Sequence, residues 1–225
     1  MLRLYPVRYR RLKPEQRFDR YDLVALETFR PTSDPRPESV RVIEDSISVV
    51  TGRTLLPRER FKIWLPFVVD SLEALQQENV KTGRSLGIIC PDPASVRFSW
   101  KAIAEASEEE RENLKASRQA MLFEQELPPL QKDFTFFYTF TTGYKQHRCQ
   151  ILDWEVQATY YRYCQRYGNE ALSRMQEMWQ KILVKQNLHL VMGTMLAHPR
   201  SFSIVGVLRT VEDIAAFKAQ GDLFG

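Results

Sequence analysis

Glycine is scarce in this chain, nine in 225 residues, and cysteine and histidine are scarcer still at three each. The cysteines, Cys90, Cys149 and Cys164, stand singly with no CxxC pair, which excludes a complete cysteine zinc knuckle and offers no disulfide framework. A reducing compartment is expected. Apolar runs such as IWLPFVV at 63–69 fall far short of the ~20 residues a bilayer span needs, and Pro66 interrupts that one, so no membrane partner is expected. The basic N-terminus MLRLYPVRYRRLKPE has no apolar core of a secretory signal behind it, and a cytoplasmic protein is expected. GxxxxGK[ST], GxGxxG, HExxH and GxSxG are all missing, which disfavours nucleotide hydrolysis by the phosphate-loop route.

What is present begins with charge. The net excess is only +4, yet residues 1–20 alone hold seven Arg or Lys against two acids. In that stretch Arg8, Arg10, Arg11, Lys13, Arg17 and Arg20 are interleaved with Tyr9, Phe18 and Tyr21. Arginine forks neutralise phosphates and aromatic faces stack bases, the combination that single-strand and RNA binders use. Its plain structural counterpart is a solvated edge strand whose charges prevent edge-to-edge pairing. Tyr160, Tyr161, Arg162, Tyr163, Arg166 and Tyr167 make a second cluster of this kind, although a helix spreads them around its circumference and assigns some to the core.

The first hundred residues alternate strand-like runs, YDLVALETF at 21–29 and SVRVIEDSISVVTG at 39–52, with the proline-rich loop RPTSDPRPES. Helical spacing from Pro57 to Gly83 is broken by Pro66, predicting two short helices or one bent one. SLGII reads as a buried strand, and VRFSWKAI alternates Val96, Phe98 and Trp100 against Arg97, Ser99 and Lys101, a sheet with one wet face. Residues 105–126 carry seven acids against three bases and no proline, the texture of a solvated helical connector ended by Pro128 and Pro129. Beyond it, FTFFYTFTT and HRCQIL form a hairpin turning at Gly143, and DWEVQATYYRYCQRY is a helix. Asn169 caps a second helix with Leu172, Met175, Trp179 and Ile182 on one face. LHLVM and SFSIVGVLR are strands separated by GTMLAHPR, and TVEDIAAFKAQG is a closing helix running from Thr210 to Gly221. The class predicted is α+β: a lobe over 1–104, an acidic connector over 105–130, and a lobe over 131–225 whose antiparallel sheet, in the order ββααββα, carries helices on one face.

KQHRCQILDWE at 145–155 concentrates the chemistry-bearing residues. Asp153 stands where a strand becomes a helix and suits a cap, and Glu155 is favoured there by the helix dipole. As a cap, Asp153 is worth roughly 1 kcal/mol against Ala and much less against Asn. The alternative joins His147, Asp153 and Glu155 with His189 and His198 in a divalent-metal or histidine-based nuclease centre, since such ions take carboxylate oxygens and imidazole nitrogens. In HPRSF, Arg200 is placed to grip a phosphate, against the plainer reading of a reverse turn set by Pro199.

HRCQILDWE, LHLVMGT and HPRSF, with DPRPES and SLGII upstream, resemble a family of uncharacterised prokaryotic open reading frames. The resemblance covers most of the chain and implies a prokaryotic unit in its own right, with no role for any residue. The functional expectation is a nucleic-acid-binding subunit of a prokaryotic nucleoprotein or defence-type assembly, with protein partners and no cofactor. Its phosphate contacts would be Arg8, Arg10, Arg11, Lys13, Arg17, Arg162, Arg166 and Arg200. The alternatives are the nuclease, with a divalent metal, and a protein-interaction scaffold.

Overall fold

The computed structural model describes residues 1–9, 12–103 and 133–215. The chain separates into two compact units, one of Val68–Thr210 and one of Met1–Phe67 with the described residues 211–215. Both are built from open sheets and helices, an α+β architecture. Residues 68–102, grouped by the sequence reading with the first lobe, lie in the second unit, because their strands pair with strands from beyond residue 133. The acidic connector, Arg10, Arg11 and the helix stop at Gly221 lie outside the described residues. No helix among the described residues is long and apolar enough to cross a membrane.

In the first unit, β1 (Arg3–Leu4), β4 (Ser39–Val42) and β3 (Thr28–Phe29) form one small sheet, while β2 (Asp22–Ala25) and β5 (Ser48–Thr54) pair antiparallel. Each long strand expected from the sequence is therefore two short ones. The break within 39–52 has a local cause: Glu44–Ser46 forms a 3-10 turn in which the Ser46 hydroxyl donates to Ile43 O at 2.6 Å and accepts from Glu27 N at 2.8 Å. A modest core of Leu12, Val42 and Ile47, flanked by Val7, Phe18, Val24 and Leu26, holds these pieces. α1 (Pro57–Trp64) follows, ending just before Pro66 as the proline requires. Trp64 Nε1 donates at 3.1 Å to Asp213, whose buried carboxyl is pushed above the usual range by desolvation despite Arg60 at 3.9 Å.

The second unit opens with β6 (Val68–Val69), α2 (Leu72–Thr82), capped by Ser71 and stopped at Gly83, β7 (Leu86–Ile89) and β8 (Arg97–Ala102). The first six elements of the expected order then appear: β9 (Phe134–Thr142), β10 (Lys145–Gln150), α3 (Trp154–Tyr167), α4 (Ala171–Gln176), β11 (Leu188–Met195) and β12 (His198–Arg209), while the described residues 211–215 of the expected closing helix group with the first unit. Its two hairpins recruit the earlier strands, giving one sheet in the order β12-β11-β7-β6 and another in the order β10-β9-β8. A parallel bridge between Ile151 and Ile204, with Leu152 N donating to Ile204 O at 2.7 Å, joins the edge of one to the edge of the other.

The alternation of β9 organises the core. Phe136, Tyr138 and Phe140 are fully buried, while Thr135, Phe137, Thr139 and Thr141 point the other way and keep part of their surface. Phe136 stacks on Phe98 at 5.6 Å, Phe98 on Trp179 at 6.0 Å, and the Tyr138 hydroxyl donates to Trp179 O at 2.7 Å. Asn169 is not the cap of α4. A 3-10 turn over Gly168–Glu170 shifts the helix start, and Glu170 stands at the N-cap without a side-chain bond. α4 widens into a π-helical turn over Glu177–Ile182, with Leu183 N reaching back five residues to Met178 O. That turn adds a residue to the period, so Met175, Trp179 and Leu183 share the buried face and Ile182 is left 44% exposed.

HPRSF is not a turn. β11 runs to Met195 and β12 starts at His198, so Leu196 and Ala197 make the connection and Pro199 sits on an edge strand, where no ladder donor is needed. Gly87, by contrast, is a point of close approach: a Cβ there would lie 2.8 Å from both terminal carbons of the fully buried Leu75. Gly87→Ala should therefore lower stability by about 1–3 kcal/mol in urea unfolding. Combined with Leu75→Ala it should cost less than the sum of the two single changes, and strict additivity would show that Leu75 is not what the added methyl meets.

Candidate functional site

Among the described residues, the helices of the second unit pack on one side of β8–β9–β10 and leave the other side open. α3 and the π turn cover the side of β8–β9–β10 that carries Phe98, Phe136 and Tyr138. Pairing in register aligns the other side in rows: Arg97, Thr139 and Arg148; Ser99, Phe137 and Gln150; Lys101 with Thr135; and Thr141 with Gln146. None of these ten positions is acidic, and three are cationic. Arg97 and Arg148 are exposed, and Lys101 and Phe137 are half-buried. The Arg148 guanidinium lies 3.7 Å over the centroid of the Phe137 ring, while Arg97 Nη1 donates to the carbonyls of Ala94 and Val96, each at 2.8 Å. At the end of the hairpin, Gly143 at φ 56° precedes Tyr144, an arrangement suited to a two-residue turn, and Tyr144 is 84% exposed.

The cationic residues singled out by sequence are placed less uniformly. Arg8 is committed to Glu44: its backbone N–H donates to one carboxylate oxygen at 2.6 Å, and its Nε at 2.8 Å and Nη2 donate to the other. That pairing raises the pKa of Arg8 and neutralises its charge locally. Tyr9 and Phe18 pack edge to face at 5.4 Å with the Tyr9 hydroxyl donating to Phe18 O, so these rings serve the fold. Lys13 and Arg17 are exposed, Arg17 Nε donating to Leu12 O at 3.2 Å. On α3, Arg162 and Arg166 are exposed, Arg166 lying 5.3 Å from the Tyr167 ring centre, whereas Tyr160 is buried against Phe134 and Phe136. Arg200 is exposed on the edge strand β12.

The histidines and acids do not assemble. His189 pairs across from Leu208 at one end of the β11–β12 hairpin and His198 from Met195 at the other, a separation of roughly 20 Å at ~3.3 Å per residue. His147 faces inward, opposite to its neighbour Arg148, and its Nε2 lies 3.2 Å from Glu73 Oε2 without hydrogen-bond alignment. Burial disfavours ionisation of Glu73, but its own backbone N–H, the Thr142 hydroxyl at 3.0 Å and His147 outweigh that effect and hold its pKa below the usual value. Thr142 Oγ1 also accepts from Leu72 N at 3.1 Å, so this buried group ties the start of α2 to the turn end of the β9–β10 hairpin. Asp153 caps α3, one oxygen accepting from Glu155 N at 2.9 Å, while its second accepts from Val207 N at 3.0 Å. Glu155 points to Arg209 at 3.8 Å with both side chains about half exposed. Among the described residues, no three His, Cys, Asp or Glu side chains are grouped to hold a metal ion.

Two features escaped the sequence reading. The open face was seen only in β8, because FTFFYTF is aromatic on both parities and hides Phe137 among core residues. Glu73 was missed because SLE at a helix start reads as an ordinary cap with an acid in the first turn. In both cases the missing information is which strands pair.

Residues 68–224 match the model of a domain of unknown function, DUF8757, and residues 1–65 match that of another, DUF8758. The junction between these matches falls beside the boundary between the two units. No curated protein and no solved structure matches the chain.

Because Asp153 uses both oxygens, Asn cannot replace it fully: its amide offers one acceptor to two donors. Asp153→Ala should cost about 2 kcal/mol in urea unfolding, one part the cap and one part the lost bond from Val207 N–H, with Asp153→Asn losing about half of that. A wild-type Asn variant would show the Val207 bond to be without weight. His189 gives a pH signature. Its buried ring, with Nδ1 3.0 Å from Thr210 Oγ1 and 3.2 Å from Asn187 O, is held below its usual pKa by desolvation, partly offset by the Asn187 carbonyl. The unfolded chain therefore takes the proton first, so this contribution to stability is complete above pH ~6.5 and declines as pH falls below it. His189→Gln should remove that decline from a pH series of urea midpoints, and an unchanged slope would place its origin elsewhere.

Proposed function

Since the chain belongs to the DUF8757 family, a domain of unknown function, its activity has to be read from its own residues, and we propose that it binds nucleic acid through the open face of β8–β9–β10. The observation that carries this reading is the sheet face itself: its ten paired positions hold three cationic residues and no acidic one, with hydroxyl and amide side chains between them. Lysine and arginine gain from such a surface by displacing counterions from phosphates, and the uncharged side chains add hydrogen bonds to sugar and phosphate oxygens. Binding is favoured over cleavage because the inward turn of His147 keeps imidazole chemistry away from this face, and His189 and His198 stand far apart. The exposed Lys13, Arg17, Arg162, Arg166 and Arg200 are further phosphate contacts within the same proposal, whereas Arg8 is spent on Glu44. Membership in a larger nucleoprotein assembly belongs to this reading as well.

The test is the salt dependence of oligonucleotide binding. Changing Arg97, Lys101 and Arg148 together to Ala should weaken binding and flatten the log–log salt slope by about 2, since each phosphate neutralised on a single strand adds ~0.7 to that slope. Arg8→Ala should leave the slope unchanged. A triple variant with the wild-type slope would remove the sheet face from the interface.

A further inference from the structure

We infer that Arg148 and Phe137 form a stacking platform for an unpaired base, which makes single-stranded nucleic acid the ligand of this face. The inference rests on the proposed function and deepens it, from binding of phosphates to binding of bases. Several arginines here are paired with carboxylates: Arg8 with Glu44, Arg36 with Asp34, Arg84 with Glu78, Arg174 with Glu170 and Glu177. Arg148 makes no ion pair among the described residues; its guanidinium is set by an aromatic ring 3.7 Å below. An exposed planar cation backed by Phe137 offers the kind of surface on which bases stack, and its charge remains available to the strand.

The neighbouring side chains suit the same ligand. Thr139 pairs with Arg148 and Gln150 with Phe137, so uncharged donors and acceptors flank the platform where base edges and sugars would lie. Arg97, across Thr139 from Arg148, supplies a second cation two strands away, roughly 10 Å at the ~4.8 Å strand spacing. A duplex is a poor fit. The major groove admits a helix or a two-stranded ribbon, whereas this face is three strands wide and backed by helices, and paired bases expose no ring face for Arg148 to cover.

The experiment compares the full-length wild-type protein with Arg148→Lys and Phe137→Leu. The probes are fluorescein-labelled twelve-nucleotide adenine strands of RNA and of DNA, an abasic strand of equal length, and a duplex. Wild type should bind the base-bearing strands about tenfold or more tightly than the abasic strand or the duplex, with the RNA and DNA arms telling which sugar is preferred. Arg148→Lys keeps the charge but loses the plane, so it should forfeit most of that difference while binding the abasic strand as wild type does. Phe137→Leu should act in the same direction, and thermal melting should show both variants folded. If wild type binds base-bearing and abasic strands equally, or if Arg148→Lys leaves the difference intact, the platform is overturned while phosphate binding stands. If no strand binds at low salt, the platform and the proposed function fall together.

Discussion

The strict alternation of Phe134–Thr142 is the constraint on which the second unit depends. Because successive side chains of a strand point to opposite faces, this central strand sends Phe136, Tyr138 and Phe140 into the core and everything between them outward. Each buried ring contributes about 2–3 kcal/mol by removal from water, and together they form the surface on which Trp179 and Tyr160 settle. A slip of one residue against either neighbour would bury threonines and expose the rings, so the core fixes the register of β8 and β10 as well. The rows on the open face are therefore a consequence of packing on the hidden one.

The polar groups around this sheet divide the same way. On the inner side, Glu73, Thr142 and His147 form a buried set that holds the hairpin to α2, and Asp153 ties the start of α3 to β12. Such groups are expensive to strand without partners, which suits them to fixing geometry. On the outer side, Arg97 and Arg148 are held by carbonyls and a ring, with no carboxylate paired to either among the described residues. Nucleic-acid binding is proposed from this contrast between arginines that are paired with carboxylates and arginines that are not, and within KQHRCQILDWE it gives His147, Arg148 and Asp153 separate tasks.

Much of the fold was legible in the sequence. The hairpin at Gly143, the helix from Trp154 and the split forced by Pro66 each rest on local chemistry, a tight turn, a cap and a missing N–H, which a sequence displays directly. What was hidden depended on pairing between distant segments. β7 and β8 join strands from beyond residue 133, which no local pattern announces. The π turn after α4 shifted the buried position from Ile182 to Leu183, since a helix period taken as constant cannot show an inserted residue. The site was less legible than the fold for the same reason: the histidines looked convergent until pairing put His189 and His198 at opposite ends of a hairpin, and Phe137 looked like core until β10 brought Arg148 over it.

The most direct measurement of the central claim is photo-crosslinking of a 4-thiouridine-containing single strand to the full-length protein, with the attached peptides identified by mass spectrometry. The account predicts cross-links concentrated in residues 97–101, 135–141 and 146–150, with Phe137 and its cross-strand neighbours foremost. Cross-links confined to residues 1–20 or to α3, with all three strands of the sheet unmarked, would contradict it.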